Sequence, residues 1–172
     1  GILRTDHPHY YRGKEEGESE NQFVDRIVSN LENLIISENP ETIAAFIAEP
    51  ITGASGVIVP PEGYYEKVQS VLSKYNIMFW ADEVITGFGR TGSDFGCTTM
   101  NIHDPDMMTF AKQLSSAYMP ISASAIRRDV YEAMIDQSAA AGAFGHGYTY
   151  SGHPVACAVA LRAVSYTHLR AH

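Results

Sequence analysis

The sequence predicts an α/β fold, a mostly parallel sheet flanked by helices. Three observations carry that reading. Apolar runs at 43–48, 77–81 and 107–111 are bounded by Pro, Gly or Asp and are too short to be helices, so they read as buried strands. An amphipathic helical pattern separates the first two, giving strand, helix and strand within about forty residues, the parallel crossover unit. The last two runs each end in one charged residue, Asp82 and Lys112. In open α/β sheets ligands bind beyond the carboxyl ends of the strands, so an acid and an amine are expected to face one crevice.

Taken in order, 1–17 is polar, rich in His and Tyr, and reads as connecting chain. Ser19 to Gln22 has the form of a capping box, in which each side chain satisfies the other end's free backbone N–H. Phe23, Ile27, Leu31, Leu34 and Ile35 then recur at helical spacing, predicting an amphipathic helix over roughly 20–37. The run 43–48 follows Pro40 and precedes Glu49-Pro50. Thr52-Gly-Ala-Ser-Gly56 is a loop closed by Pro60-Pro61, and Pro61 suits the first turn of a helix, where its missing N–H costs nothing. Tyr64, Val68, Val71, Leu72 and Tyr75 form the buried stripe of that helix, with Lys67 and Lys74 on its solvated side. No helical period exists over 83–104, so a long loop is expected there, of the sort that is usually functional. A strand over 121–126, a short helix over 129–137 and a glycine-rich loop over 138–152 follow. His153-Pro154 opens a helix from Val155 to about Val164, nearly all Ala, Val and Leu and therefore expected to be well buried.

At 172 residues, 45% hydrophobic and 19% charged, the composition is that of a globular chain able to bury one core. The net charge of −8, with no basic block, argues against nucleic acid or an anionic membrane as the main partner. No apolar run approaches a membrane span and no signal peptide opens the sequence, so the chain is expected to be cytoplasmic. Cys97 and Cys157 lack metal-type spacing and read as reduced thiols. His146 and His153 have no acid or Cys at ligand spacing, so no metal is expected.

Lys112 is one of four lysines, with Lys14, Lys67 and Lys74, and it alone follows an apolar strand. A desolvated lysine favours its neutral amine, the form a Schiff-base nucleophile needs; the plain alternative is a surface lysine past a strand end. Asp82 is either a turn cap or a buried acid that holds a proton on a heterocyclic nitrogen. Glu83, by alternation, points to the opposite side and does not form an acid/base pair with Asp82. Gly87-Phe-Gly-Arg-Thr-Gly92 matches the dinucleotide fingerprint in letters, but 93–104 lacks the helix that such a site must open, and 93–103 is expected to be non-helical. Gly147-Tyr-Thr-Tyr-Ser-Gly-His-Pro154 sets hydroxyls and backbone N–H groups ahead of a helix, either an anion site or ordinary capping by Ser151 or its neighbours.

These residues together resemble the class III, pyridoxal phosphate-dependent aminotransferases of fold type I, most nearly the ω-amino-acid or amine:pyruvate branch. The carrying stretches are Phe46-Ile-Ala-Glu-Pro50, Gly56-Val-Ile-Val-Pro-Pro61, Ala81-Asp-Glu-Val-Ile-Thr-Gly-Phe-Gly-Arg-Thr-Gly92, Thr109-Phe-Ala-Lys112 and Tyr148-Thr-Tyr-Ser-Gly-His-Pro154. The resemblance implies that residues 1–164 are part of the large, cofactor-binding domain of such an enzyme. It implies that Lys112 forms the internal aldimine with pyridoxal 5'-phosphate, that Asp82 pairs with the pyridine nitrogen and that Val84 packs on the ring. Thr149 would bind the cofactor phosphate of the partner subunit in a homodimer, and Glu49 matches a site glutamate whose role differs between branches. Ile85, where some relatives have glutamine, points to the amine:pyruvate branch.

The implied reaction moves an amino group from an amine or ω-amino acid to a keto acid such as pyruvate. Against the family pattern, the N-terminal phosphate loop and the C-terminal small domain are absent from this sequence, which starts on Gly1. Residues 165–172 depart from the family and are expected to break the preceding helix as a non-native tail. Residues 1–172 alone are accordingly expected to be an inactive fragment. The rival readings are a nucleotide-binding oxidoreductase module using Gly87–Gly92 and a non-catalytic fragment.

Overall fold

A computed structural model describes residues 1–142 and 145–170, with the side chains of 167–170 outside that description. Four strands form one sheet in the order β1-β2-β3-β4: β1 Ala45–Ala48, β2 Met78–Asp82, β3 Met107–Phe110 and β4 Ala123–Ile126. The first three are parallel and β4 closes the edge antiparallel to β3. The sheet is thus mixed, with the parallel part where the sequence places it.

The helices are α1 Tyr10–Gly13, α2 Glu20–Ser37, α3 Tyr64–Lys74, α4 Gly96–Thr99, α5 Arg128–Ala141 and α6 Pro154–Arg170. Helix α2 begins at the expected capping box: Ser19 Oγ accepts from Gln22 N–H at 3.3 Å, and Gln22 Oε1 accepts from Ser19 N–H at 2.9 Å. Its stripe of Phe23, Val24, Ile27, Val28, Leu31 and Ile35 is buried against Tyr64, Tyr65, Val68, Val71 and Leu72 of α3 and against Phe79 and Ala81 of β2. Lys67 pairs with Asp25 at 2.5 Å and Lys74 with Glu32 at 2.6 Å, stitching the outer edges of α3 and α2. Exposed pairs of this sort contribute about 0–1 kcal/mol each, so the apolar stripe is what holds the layer.

Several boundaries differ from expectation. Within 1–17 there is one turn of helix, α1, where the Tyr10 hydroxyl donates to the Glu18 carbonyl at 2.7 Å. Pro61 is not in the first turn of α3: Gly63 is the N-cap, in the left-handed region at φ 79°, and the helix starts at Tyr64. Helix α5 runs from Arg128 to Ala141, taking in residues that read as loop, because Ser138 and the alanines after it carry no breaker before Gly142.

Helix α6 differs most. It continues to Arg170 rather than breaking at Val164, since 165–170 contains neither Pro nor Gly. The last two residues of the expected tail, Ala171 and His172, lie outside the described residues. Nor is α6 well buried: Ala156 and Ala160 are covered, while Val155 and Leu161 are 57% and 71% exposed. It packs chiefly on the 3-10 turn Lys112–Ser115.

Candidate active site

Three parallel strands end side by side, and each carries a polar residue at or just past its carboxyl end. Glu49 follows β1, Asp82 closes β2, and Lys112 lies two residues beyond β3. The registers align Ala48 with Ala81 and Asp82 with Thr109, so Asp82 is flanked by the ends of both neighbours. Asp82 and Lys112 therefore lie on adjacent strand ends on the same edge of the sheet, as the sequence predicts. They do not form an ion pair with each other among the described residues.

Each of the three has a distinct local setting. Asp82 Oδ1 accepts the Val84 N–H at 3.0 Å, a short turn that fixes the carboxylate and leaves Oδ2 without a hydrogen bond among the described residues. On the same face of β2, the Trp80 indole N–H donates to the Thr109 hydroxyl at 2.6 Å, joining β2 and β3 beside Asp82. Glu49 Oε2 accepts the Gly53 N–H at 2.8 Å, and its carbonyl accepts the Tyr65 hydroxyl at 2.5 Å. Burial pushes the Tyr65 phenol well above its usual range, so it is a donor throughout the working pH range.

Lys112 opens the 3-10 turn with φ 40°, and Ser116 and Ala117 farther along are left-handed too, at 50° and 63°. Left-handed backbone costs a residue with a Cβ roughly 1–2 kcal/mol, and such cost concentrates at sites where the fold overrides local preference. The Lys112 side chain is exposed, not desolvated, and its amine has no hydrogen-bond or ion-pair partner among the described residues. Two clefts of about 380 and 450 Å³ lie elsewhere, one beside Asp6 and Arg12 and the other beside Leu72 and Asp106. Neither cleft is lined by Asp82 or Lys112.

The glycine-rich stretch is a packed loop. Phe88, Phe95 and Phe110 pack on one another with centroids 5.5–5.6 Å apart, and the Arg90 guanidinium donates to the Gln113 side-chain oxygen Oε1 at 3.2 Å, next to Lys112. A Cβ on Gly96 would lie 2.6 Å from that of Thr86, and one on Gly87 would lie 2.9 Å from the Glu83 carbonyl, so these two glycines serve close packing. Residues 93–103 are not entirely non-helical, because α4 makes one turn. That turn starts at Gly96, and its leading N–H groups at Gly96 and Cys97 are taken by the Glu83 carboxylate at 2.9 and 2.7 Å. No helix starts at 89–92, so the dinucleotide reading has no phosphate cradle here.

Val84 is half-buried beside Asp82, while Thr149 is exposed in the turn before α6. At that helix start the His153 ring, rather than Ser151, caps: Nδ1 accepts the Ala156 N–H at 3.3 Å. Helix α6, which the Thr149 turn precedes, packs on the turn that Lys112 opens. Sequence reasoning missed Glu83 as an organiser and missed the Trp80–Thr109 link. Alternation assigns both to their faces, but their partners lie 13–14 and 29 residues away and leave no local signal.

Comparison with known proteins comes down on the same side. The family model described as aminotransferase class-III matches residues 4–168. The chain is 58% identical over 160 residues to gamma aminobutyrate transaminase 3, chloroplastic, of Solanum lycopersicum, covering 93% of this chain and 31% of that protein. It is 56% identical to a probable gamma-aminobutyrate transaminase 2, mitochondrial, of Oryza sativa subsp. indica, covering 95% and 33%. Among solved structures, the omega transaminase from Pseudomonas jessenii in complex with PMP superposes with a TM-score of 0.96 at 55% identity, covering 98% of this chain and 37% of that one. The chain spans about a third of the length of the curated relatives it matches.

Proposed function

The chain belongs to the class-III aminotransferases, and from that premise we propose that it supplies the cofactor-binding strand ends of a pyridoxal phosphate-dependent transaminase. Class-III aminotransferases use pyridoxal phosphate. The residues here fit that group by their chemistry. A basic ring nitrogen calls for an acid, and Asp82 offers Oδ2 free of other hydrogen bonds among the described residues. An aldehyde carbon calls for an amine, and Lys112 offers one with no partner among the described residues, on the adjacent strand end. That juxtaposition is the observation on which the proposal rests.

When bound, the cofactor supplies an electron sink for the charge left on a substrate carbon that loses a proton. The chain's own residues then divide the work. Asp82 holds the proton on the ring nitrogen, oriented by the Val84 N–H. Val84 excludes water from one ring face. Lys112 Nζ would hold the cofactor through its aldehyde carbon and, once free, would take and return the substrate proton. Glu49, fixed by the Gly53 N–H, would be a site glutamate whose role differs between branches of the family, and Thr149 would serve the phosphate of a partner subunit in a homodimer. The exposure of Thr149 supports that last assignment.

For substrate, we propose an amine or ω-amino acid as donor and a keto acid such as pyruvate as acceptor. Ile85 in place of a polar residue supports this, together with the similarity to a gamma aminobutyrate transaminase and an omega transaminase. Cys97 and Cys157 are free thiols, which supports a reducing compartment; the cytoplasm is our proposal, and fractionation of the source cells checks it.

The test is covalent labelling. The complete protein carrying this chain, incubated with pyridoxal phosphate, should acquire visible absorbance, and borohydride reduction should fix the label on Lys112. Lys112→Ala should lose both the label and transamination while keeping the melting temperature of the cofactor-free protein, because an exposed side chain contributes little to stability. A label found on Lys14, Lys67 or Lys74 instead would sink the assignment.

A further inference from the structure

Glu83 is fully buried, 0% exposed, yet no Lys, Arg or His pairs with it among the described residues. Its carboxylate instead gathers three donors. Oε1 accepts the Cys97 N–H at 2.7 Å, while Oε2 accepts the Gly96 N–H at 2.9 Å and the Thr86 hydroxyl at 2.5 Å. The backbone of the same residue is also committed. Its N–H donates to the Thr109 carbonyl at 2.9 Å, and its carbonyl accepts the Gly87 N–H at 3.0 Å. One residue thereby ties β3, the turn at 83–87 and the first turn of α4 together.

The residues on either side of Glu83 are Asp82 and Val84, joined by the Val84 N–H to Asp82 Oδ1 bond. Since side chains alternate, Glu83 anchors on the core side and Asp82 is presented on the other. We propose that Glu83 is a positioning residue: by locking the 83–87 turn it fixes where the Val84 N–H lies, and through that bond it sets the direction of the Asp82 carboxylate. The inference rests on the transaminase reading above and adds to it a residue that does not touch the cofactor. Only a carboxylate suits the position. A carboxamide would turn its own N–H groups toward one set of buried donors, leaving at least one donor without an acceptor.

The test uses Glu83→Gln and Thr86→Val in the complete protein carrying this chain, loaded with pyridoxal phosphate. Three quantities are read: the pH midpoint of the visible absorbance, kcat and KM for the amino donor, and the melting temperature of the cofactor-free protein. Glu83→Gln should move the pH midpoint by about half a unit or more, because Asp82 no longer meets the ring nitrogen squarely. Its kcat should fall on the order of tenfold to a hundredfold with KM little changed, the loss expected of a misplaced group. Thr86→Val, which removes one of three donors, should shift both in the same direction by less.

A lowered melting temperature with midpoint and kcat as in the wild type would make Glu83 a packing residue and overturn the proposal. If Glu83→Gln does not fold, Thr86→Val decides by the same readouts, and wild-type values there overturn it too. A wild-type protein that takes up no cofactor at all would instead refute the transaminase reading and leave the variants irrelevant to it.

Discussion

On one face of the sheet Phe46, Phe79, Ala81 and Met108 are packed beneath α2 and α3, and the stripes of those helices are almost wholly covered. On the other face Ile47 is 56% exposed, Trp80 is half-buried, and neither α5 nor α6 closes over them. Both faces are apolar by composition, so hydrophobicity alone does not separate them. What separates them is whether the chain carries its own partner layer: α2 and α3 are amphipathic with charged outer edges, whereas α6 is apolar nearly all round and, among its described side chains, is fully buried only at Ala156 and Ala160. The adjacent acids repeat the division in miniature. Glu83 is consumed by three core donors, and Asp82 keeps an oxygen for the crevice. The packed face holds the fold, and the open face is the side on which the proposed site residues are presented.

That division is breakable by paired substitutions. In the 172-residue chain, Phe23→Ala should cost about 3–5 kcal/mol of stability, the cost of a cavity under an aromatic that is 1% exposed. Leu161→Ala on the open side should stay within about 0.5 kcal/mol of the parent. Urea denaturation measures both, and equal costs would end the comparison. Repeating Leu161→Ala in the complete protein sharpens it, since a large cost appearing only there would mean that the open face is covered by chain outside these residues.

Next in size is Asp82→Asn. Its amide oxygen can still accept the Val84 N–H, so stability should hold while turnover falls, the barrier rising by about 3 kcal/mol as a charge-stabilising group is lost. Steady-state kinetics beside a melting curve separates the two quantities. A matching drop in melting temperature would place Asp82 with the packed face after all.

The cysteines divide the same way. Burial, and then the nearby Glu83 carboxylate, push the Cys97 thiol up, so it should stay unreactive in the native protein, while exposed Cys157 should react first. Titration with a thiol reagent should count one sulfur before denaturation and two after it. Fast native reaction at Cys97 would show that the packed face opens.

The smallest effect concerns pH. The Arg26 guanidinium, donating to both Glu18 carboxylate oxygens, holds that carboxyl down at about 2. A carboxyl lowered in the folded state stabilises above its unfolded value, near 4.5, and that contribution fades as pH falls from there toward 2. Arg26 also donates to the Gly13 carbonyl, so the segment of α1 should loosen from α2 in that window. Glu18→Gln should flatten this part of the acid-unfolding curve, and an unchanged curve would remove the pair from the account.

The sequence by itself determined whatever is local. The Ser19–Gln22 box and the Phe23 to Ile35 spacing place α2 to the residue, because capping and periodicity act within one or two turns. Short apolar runs ending at Asp82 and Lys112 locate two adjacent strand ends, because chain reach leaves a parallel crossover few alternatives. Only the tertiary structure decided what depends on distant partners. Glu83 is buried because Gly96 and Cys97, far along the chain, bring their N–H groups to it. The glycines at 87 and 96 exist for contacts that no spacing rule encodes. Helix α6 is apolar and yet exposed because burial belongs to the facing surface as much as to the helix. Lys112 takes a left-handed backbone because the turn closing on α6 holds it there against its own preference.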